Sequence, residues 1–96
     1  MFMDSDGDMF EWDEAKSCRC FETRGFDFSI VQDFDFASAV VIKDDRFAYG
    51  EPRFRAFGPI ADRLFVVVFT PRGPRLRIIS IRRANKREER KHGHKT

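Results

Sequence analysis

Residues 76–91 read LRIISIRRANKREERK: an Ile-containing run from Leu76 to Ile81 passes directly into Arg82, Arg83, Lys86, Arg87, Arg90 and Lys91. The run predicts a β-strand. Asn85 and Glu88 stand three residues apart in the capping-box pattern, which predicts a helix beginning at Lys86 and lasting about two turns. So short a helix frays unless it docks on something. A strand that empties into a cationic helix is a mount for gripping a polyanion. Lys86 and Arg87 fall in the first helical turn, where the macrodipole disfavours positive charge, so a bound phosphate would offset that penalty. The same block also reads as a solvated tail partly neutralised by Glu88 and Glu89.

Working outward, Leu64 to Thr70 is apolar on both faces, as a central strand is, and Pro71, Arg72, Gly73 and Pro74 predict the turn back into Leu76–Arg82. Before it, Glu51, Arg53 and Arg55 alternate with Phe54 and Ala56, which predicts a strand with its charges on one face; Gly58 and Pro59 are expected to end it. Ala39 to Lys43 predicts the first long strand, with Asp44 and Asp45 turning the chain. These strands make an antiparallel meander.

At the other end, Phe10, Glu11 and Trp12 predict a short edge strand, and Asp13 caps a helix that stops at Gly25, with Ala15, Cys18 and Phe21 as its apolar stripe. Ile30, Val31 and Phe34 predict a second short helix after Asp27, with Phe28 and Phe36 beside it in the core. The expected fold is therefore α+β: two N-terminal helices packed on an antiparallel β-sheet meander, with a short basic C-terminal helix and the helices on one face. Residues 1–9 read as an acidic, disordered leader, residues 10–92 as a single domain, and residues 93–96 as a disordered tail. Asp4 to Asp8 imitates a calcium loop, but Gly7 is misplaced and Ala15 stands where the closing Glu belongs.

A chain of 96 residues holds one core, burying roughly two-thirds of its unfolded surface. The net charge of +2 averages an acidic start, without Lys or Arg up to Ala15, and a basic end, an asymmetry that points to an electrostatic partner. Cys18 and Cys20 alone close no zinc site and read as free thiols in a reducing cytoplasm. No apolar run is long enough to cross a bilayer, so a cytoplasmic protein is expected, without a cofactor or a metal.

Arg53 and Arg55, with Arg77 nearby, would extend the cationic helix into a groove suited to single-stranded RNA or DNA; equally, Glu51 could simply pair with an arginine across the sheet. RNA cleavage without a metal needs a base for the 2′-hydroxyl, cations for charge growing on phosphorus, and an acid for the leaving oxygen. Glu51, the arginines, His92 and His94 offer these groups, His92 because histidine titrates near pH ~6.5. Histidines so close to a chain end are also commonly disordered.

FEWDEAK at residues 10–16, the Gly25 to Phe28 junction, GEPRF at residues 50–54 and RIISIRRANKREE at residues 77–89 together resemble the BrnT toxins of bacterial type II toxin–antitoxin systems. The resemblance implies a RelE-like fold, a metal-independent endoribonuclease that arrests translation, and a cognate BrnA-type ribbon-helix-helix antitoxin, with a toxin–antitoxin heterotetramer as one assembly. By position, Glu51, Arg53, Arg77, Arg82, Arg83 and Glu88 match the family pattern. Catalysis is thus expected from Glu51, Arg53, Arg77, Arg82 and His92, and RNA binding from Arg55, Arg83, Lys86, Arg87 and Arg90. The chain departs from the pattern at Cys20, Thr23 and Arg24, where Asn and then Lys-His are usual, and at His92, where Tyr is usual. A non-catalytic nucleic-acid-binding or antitoxin-binding module with the same fold is the alternative reading.

Overall fold

A computed structural model describes residues 9–93; the acidic leader up to Asp8, its calcium-loop-like segment and His94 lie outside them. Strand β1 (Phe10–Trp12) leads into helix α1 (Glu14–Arg24), and two 3₁₀ helices follow at Phe28–Asp33 and Phe36–Ser38. Four strands come next, β2 (Val40–Lys43), β3 (Phe54–Ile60), β4 (Arg63–Arg72) and β5 (Arg75–Arg83), before helix α2 (Lys86–His92). They form one mixed sheet in the order β1-β5-β4-β3-β2. The antiparallel meander comprises β2 to β5, and β1 adds to β5 in parallel.

The second N-terminal helix is not an α-helix. Asp27 caps the first 3₁₀ segment through the Ser29 N–H and Asp35 caps the next through the Ala37 N–H, so the chain restarts every few residues instead of propagating one helix. Helix α1 keeps its expected ends: Asp13 accepts from the N–H groups of Ala15 and Lys16, and Gly25 closes it at φ 87°. Its inward face differs from the expected stripe. Ser17 and Cys20 are buried, whereas Ala15, Cys18 and Phe21 are exposed. Ser17 can face inward because its hydroxyl accepts the Phe28 N–H at 2.9 Å.

Strand β3 does not stop at Gly58 and Pro59 but runs to Ile60, and the turn falls at Ala61, whose φ is 55°. Gly58 is there for close approach: a Cβ added to it would lie 2.9 Å from both Ala39 Cβ and Phe34 Cζ. Gly58→Ala is therefore expected to destabilise the fold by about 1–3 kcal/mol through overpacking, read as a lower urea midpoint. Nor is β2 the long strand expected. It has four residues on the sheet edge, with Val40 and Val41 exposed.

Register divides the sheet into two faces. The inner face carries Ala56, Phe65, Val67, Phe69, Ile78 and Ile81, packed with Cys20, Phe28, Val31 and Phe34 from the N-terminal layer. On the outer face, Val68 pairs with Arg55 on one side and Ser80 on the other, Val66 with Phe57 and Arg82, and Thr70 with Arg77, which lies opposite Glu11. Helix α2 covers part of this outer face, through His92 stacked on Phe57 at 4.1 Å between ring centroids. The helices are therefore not all on one face. That docking is what buries Phe57 to 3 % exposure on the side away from the main core.

Candidate nucleic-acid interface

The outer face is where most of the candidate residues meet, and the structure divides them into two groups. Toward the β4–β5 hairpin, Glu11 and Glu51 thread a set of arginines. Arg77 donates to Glu11 at 3.1 Å, and Arg72 lies 3.9 Å from Glu11 and 3.6 Å from Glu51. Arg53 Nε is 3.5 Å from Glu51 without hydrogen-bond geometry, and its guanidinium lies 4.2 Å above the Tyr49 ring. Glu51 is in the loop before β3, not on the strand, yet its carboxylate still reaches this network. The network rests on Thr70, which is buried and donates to the Pro52 carbonyl at 2.6 Å.

The second group gathers under α2. Arg82 grips Glu88 with two bonds of 2.9 Å, one from each terminal nitrogen. Glu88 also accepts the Asn85 N–H, while Asn85 accepts the Glu88 N–H, completing the capping box. The helix N-terminus therefore already has its anion. The expected phosphate at Lys86 and Arg87 meets a site filled by Glu88, and Lys86, Arg87 and Arg90 project into solvent as exposed side chains. The Arg82 bonds, opposed by burial and aided by the Asn85 N–H, hold the Glu88 carboxyl at about 2 against its usual 4.5. A depressed carboxylate contributes stability that is complete above pH 4.5 and is lost as pH falls toward 2. Acid titration is thus expected to undock α2 in that window, seen as exposure of Phe57, and Glu88→Gln to abolish the transition.

His92 is held on the apolar Phe57 ring, and burial lowers its pKa from 6.5, assisted by the Lys91 and Arg55 charges and opposed by Glu88. It lines a cleft of about 260 Å³ together with Phe57, Pro59, Leu64 and Arg63. Arg55 shares that ring from another side, its guanidinium 5.6 Å from the centroid. Its Nε is buried and has no hydrogen-bond partner among the described residues. The other outer-face arginines at positions 53, 72, 77 and 82 each lie against Glu11, Glu51 or Glu88; among the described residues Arg55 is in no such pair.

The two proposed proton carriers do not meet. Glu51 lies with Arg53 and Arg72 toward the β4–β5 hairpin, whereas His92 stacks on Phe57, which pairs with Val66 further along β4. Arg83 lies apart again, since its register with Phe65 turns it to the inner face, where it lines a cleft of about 380 Å³ with Arg24, Phe26 and Arg82. Glu11, Arg72 and Arg24 were not legible as site residues. Glu11 joins the site only because β1 pairs with β5 in parallel and sets it opposite Arg77, a long-range pairing that no local pattern announces. Cys20 occupies the position of the usual Asn as a buried thiol. It donates to the Ile81 carbonyl at 3.7 Å, and burial pushes its pKa up, which keeps it protonated and inert.

Among the described residues there is no group of three or more His, Cys, Asp or Glu placed to hold a metal ion, and no helix is long and apolar enough to cross a membrane. Comparison with curated proteins and with solved structures gives no match. The family model for the ribonuclease toxin BrnT of type II toxin–antitoxin systems, by contrast, matches residues 12–88, from β1 through the capping-box Glu88. That span takes in strands β2 to β5, the last residue of β1 and the arginines of both groups, and the chain belongs to the BrnT toxin family.

Proposed function

We propose that this chain is an endoribonuclease that needs no metal, and that its scissile phosphate sits on the outer face between Arg55 and His92. The observation that carries this reading is Arg55: its buried Nε has no hydrogen-bond partner among the described residues, its charge reaches Glu88 without a close ion pair, and it shares the Phe57 ring with a histidine whose pKa is lowered. A buried guanidinium nitrogen without a hydrogen-bond partner favours an anionic ligand. Neutral His92 takes the proton of the 2′-hydroxyl as its oxygen attacks phosphorus. Arg55 donates to the non-bridging oxygens as charge grows on them, and the 5′-oxygen leaves with a proton from solvent. The products are a 2′,3′-cyclic phosphate and a 5′-hydroxyl. Arg82, locked by Glu88, holds α2 and with it His92 in place beside the reaction, while Glu51, Arg53 and Arg77 flank the strand as an orienting set. Arg83, Lys86, Arg87 and Arg90 add attraction for the backbone.

On this reading residues 10–92 act as one RelE-like domain in the cytoplasm, cleavage of message arrests translation, and a BrnA-type ribbon-helix-helix antitoxin neutralises the toxin in a heterotetramer. Membership of the toxin family implies a cognate antitoxin; its type and stoichiometry are part of the proposal. Incubation of the purified protein with RNA in excess EDTA should give cyclic-phosphate ends, and expression without antitoxin should stop growth. RNA left intact at high protein concentration would refute the catalytic reading. The network in which four arginines share Glu11 and Glu51 is what a non-catalytic binding module would also contain. Salt-steep RNA binding without cleavage identifies that case.

A further inference from the structure

Helix α1 presents Lys16 and Arg19 three residues apart on one side, and Arg24 in its last turn; all three are exposed. Lys16, Arg19, Thr23 and Arg24 line a cleft of about 260 Å³ against Ile79 and Ser80 of β5. It adjoins the 380 Å³ cleft of Arg24, Phe26, Arg82 and Arg83, with Arg24 common to both. The two clefts meet at Arg24 to form one groove, lined by Lys16, Arg19, Arg24 and Arg83, with no carboxylate in the lining, and by Arg82, which Glu88 already holds. From Lys16 to Arg24 the helix spans about 12 Å, several nucleotides of stacked single strand at roughly 3.4 Å each. The groove turns around β5 where β1 no longer covers it, since β1 pairs only with Leu76 to Ile78. Beyond that point α1 closes the edge, with the Cys20 thiol on the Ile81 carbonyl. A peptide strand therefore finds no free sheet edge here, whereas a flexible polyanion needs only charges and a ring face.

We propose that this groove is a second RNA subsite, which carries the single strand flanking the cleaved linkage. It takes phosphates on Lys16, Arg19, Arg24 and Arg83 and stacks one base on the half-buried face of Phe26. The inference rests on RNA being the ligand of the proposed function, but not on that RNA being cleaved or on the outer face being catalytic. Because Arg82 belongs to both the outer-face group and the groove, a strand leaving the reaction site passes directly into the track.

The test measures binding of the full chain to a fluorescent 12-nucleotide RNA carrying 2′-O-methyl groups, which block attack and keep the probe intact, as salt is varied. The Lys16→Ala/Arg19→Ala double variant keeps α1 a good helix former. It should lower the slope of log affinity against log salt by about 1.4, or about 0.7 for each lost phosphate contact. Lys16→Arg/Arg19→Lys should restore it, and Phe26→Leu should weaken binding several-fold without changing the slope. An unchanged slope in the double variant overturns the track even if the wild type cleaves RNA. A reduced slope in a protein that never cleaves RNA keeps the track and removes the ribonuclease reading. A double variant that binds RNA normally yet no longer holds its antitoxin assigns the groove to the protein partner and overturns the proposal.

Discussion

Arg55→Ala is expected to slow RNA cleavage by about 10²–10³-fold, the loss typical of removing one donor aimed at transition-state charge. The fold should survive, because Arg55 makes no ion pair among the described residues and its Nε satisfies no buried acceptor. What it loses is packing of the side-chain stem near Phe57. Affinity for uncleaved RNA should fall far less than the rate, since a contact that strengthens only as charge grows on phosphorus acts on kcat. Arg55→Lys should recover only part of the rate, because an ammonium keeps the charge without the two-pronged geometry. The same substitution at Arg77 has a different signature. It strips a partner from Glu11, which also lies near Arg72 and Arg75, so stability and activity change together. A wild-type rate in a folded Arg55→Ala variant would remove Arg55 from the mechanism.

What the sequence made legible was local. The α1 caps, the capping box at Asn85 and Glu88, and the central strand β4 all announce themselves within a few residues. What it hid depends on partners far along the chain. Ser17 reads as a surface residue until the Phe28 N–H is brought to it, and Gly58 reads as a strand end until Phe34 and Ala39 crowd it. The candidate site followed the same rule. The arginines were visible as a set, but which of them would be neutralised was decided by Glu11, Glu51 and Glu88 arriving from three separate elements. Arg55 stands out only by subtraction. The groove along α1 did leave a signal, cations at positions 16 and 19 on one side of the helix and at 24 in its last turn, outside the helix's apolar stripe.

The face on which α2 docks has the largest consequence for chemistry, and His92→Gln tests it. Glutamine approximates the size and polarity of the imidazole but cannot carry a proton at any working pH, so cleavage should fall by about 10²–10⁴-fold if His92 is the base. In the wild type the base must be neutral, and burial on Phe57 holds its pKa below 6.5. The rate should therefore stay level as pH falls through 6.5 and decline only below the depressed value; in His92→Gln that acid limb should vanish. Stability carries the same sign. A histidine with a lowered folded pKa contributes docking energy that is complete above 6.5 and is lost as pH falls through the folded value. Arg55 adds to the depression, so Arg55→Ala should move the His92 titration back toward 6.5, measurable by NMR of the ring protons. A His92 that titrates at its ordinary value, or a Gln variant that retains the full rate, would shift proton transfer to Glu51. The reacting phosphate would then lie toward the β4–β5 hairpin, among the arginines that share Glu11 and Glu51.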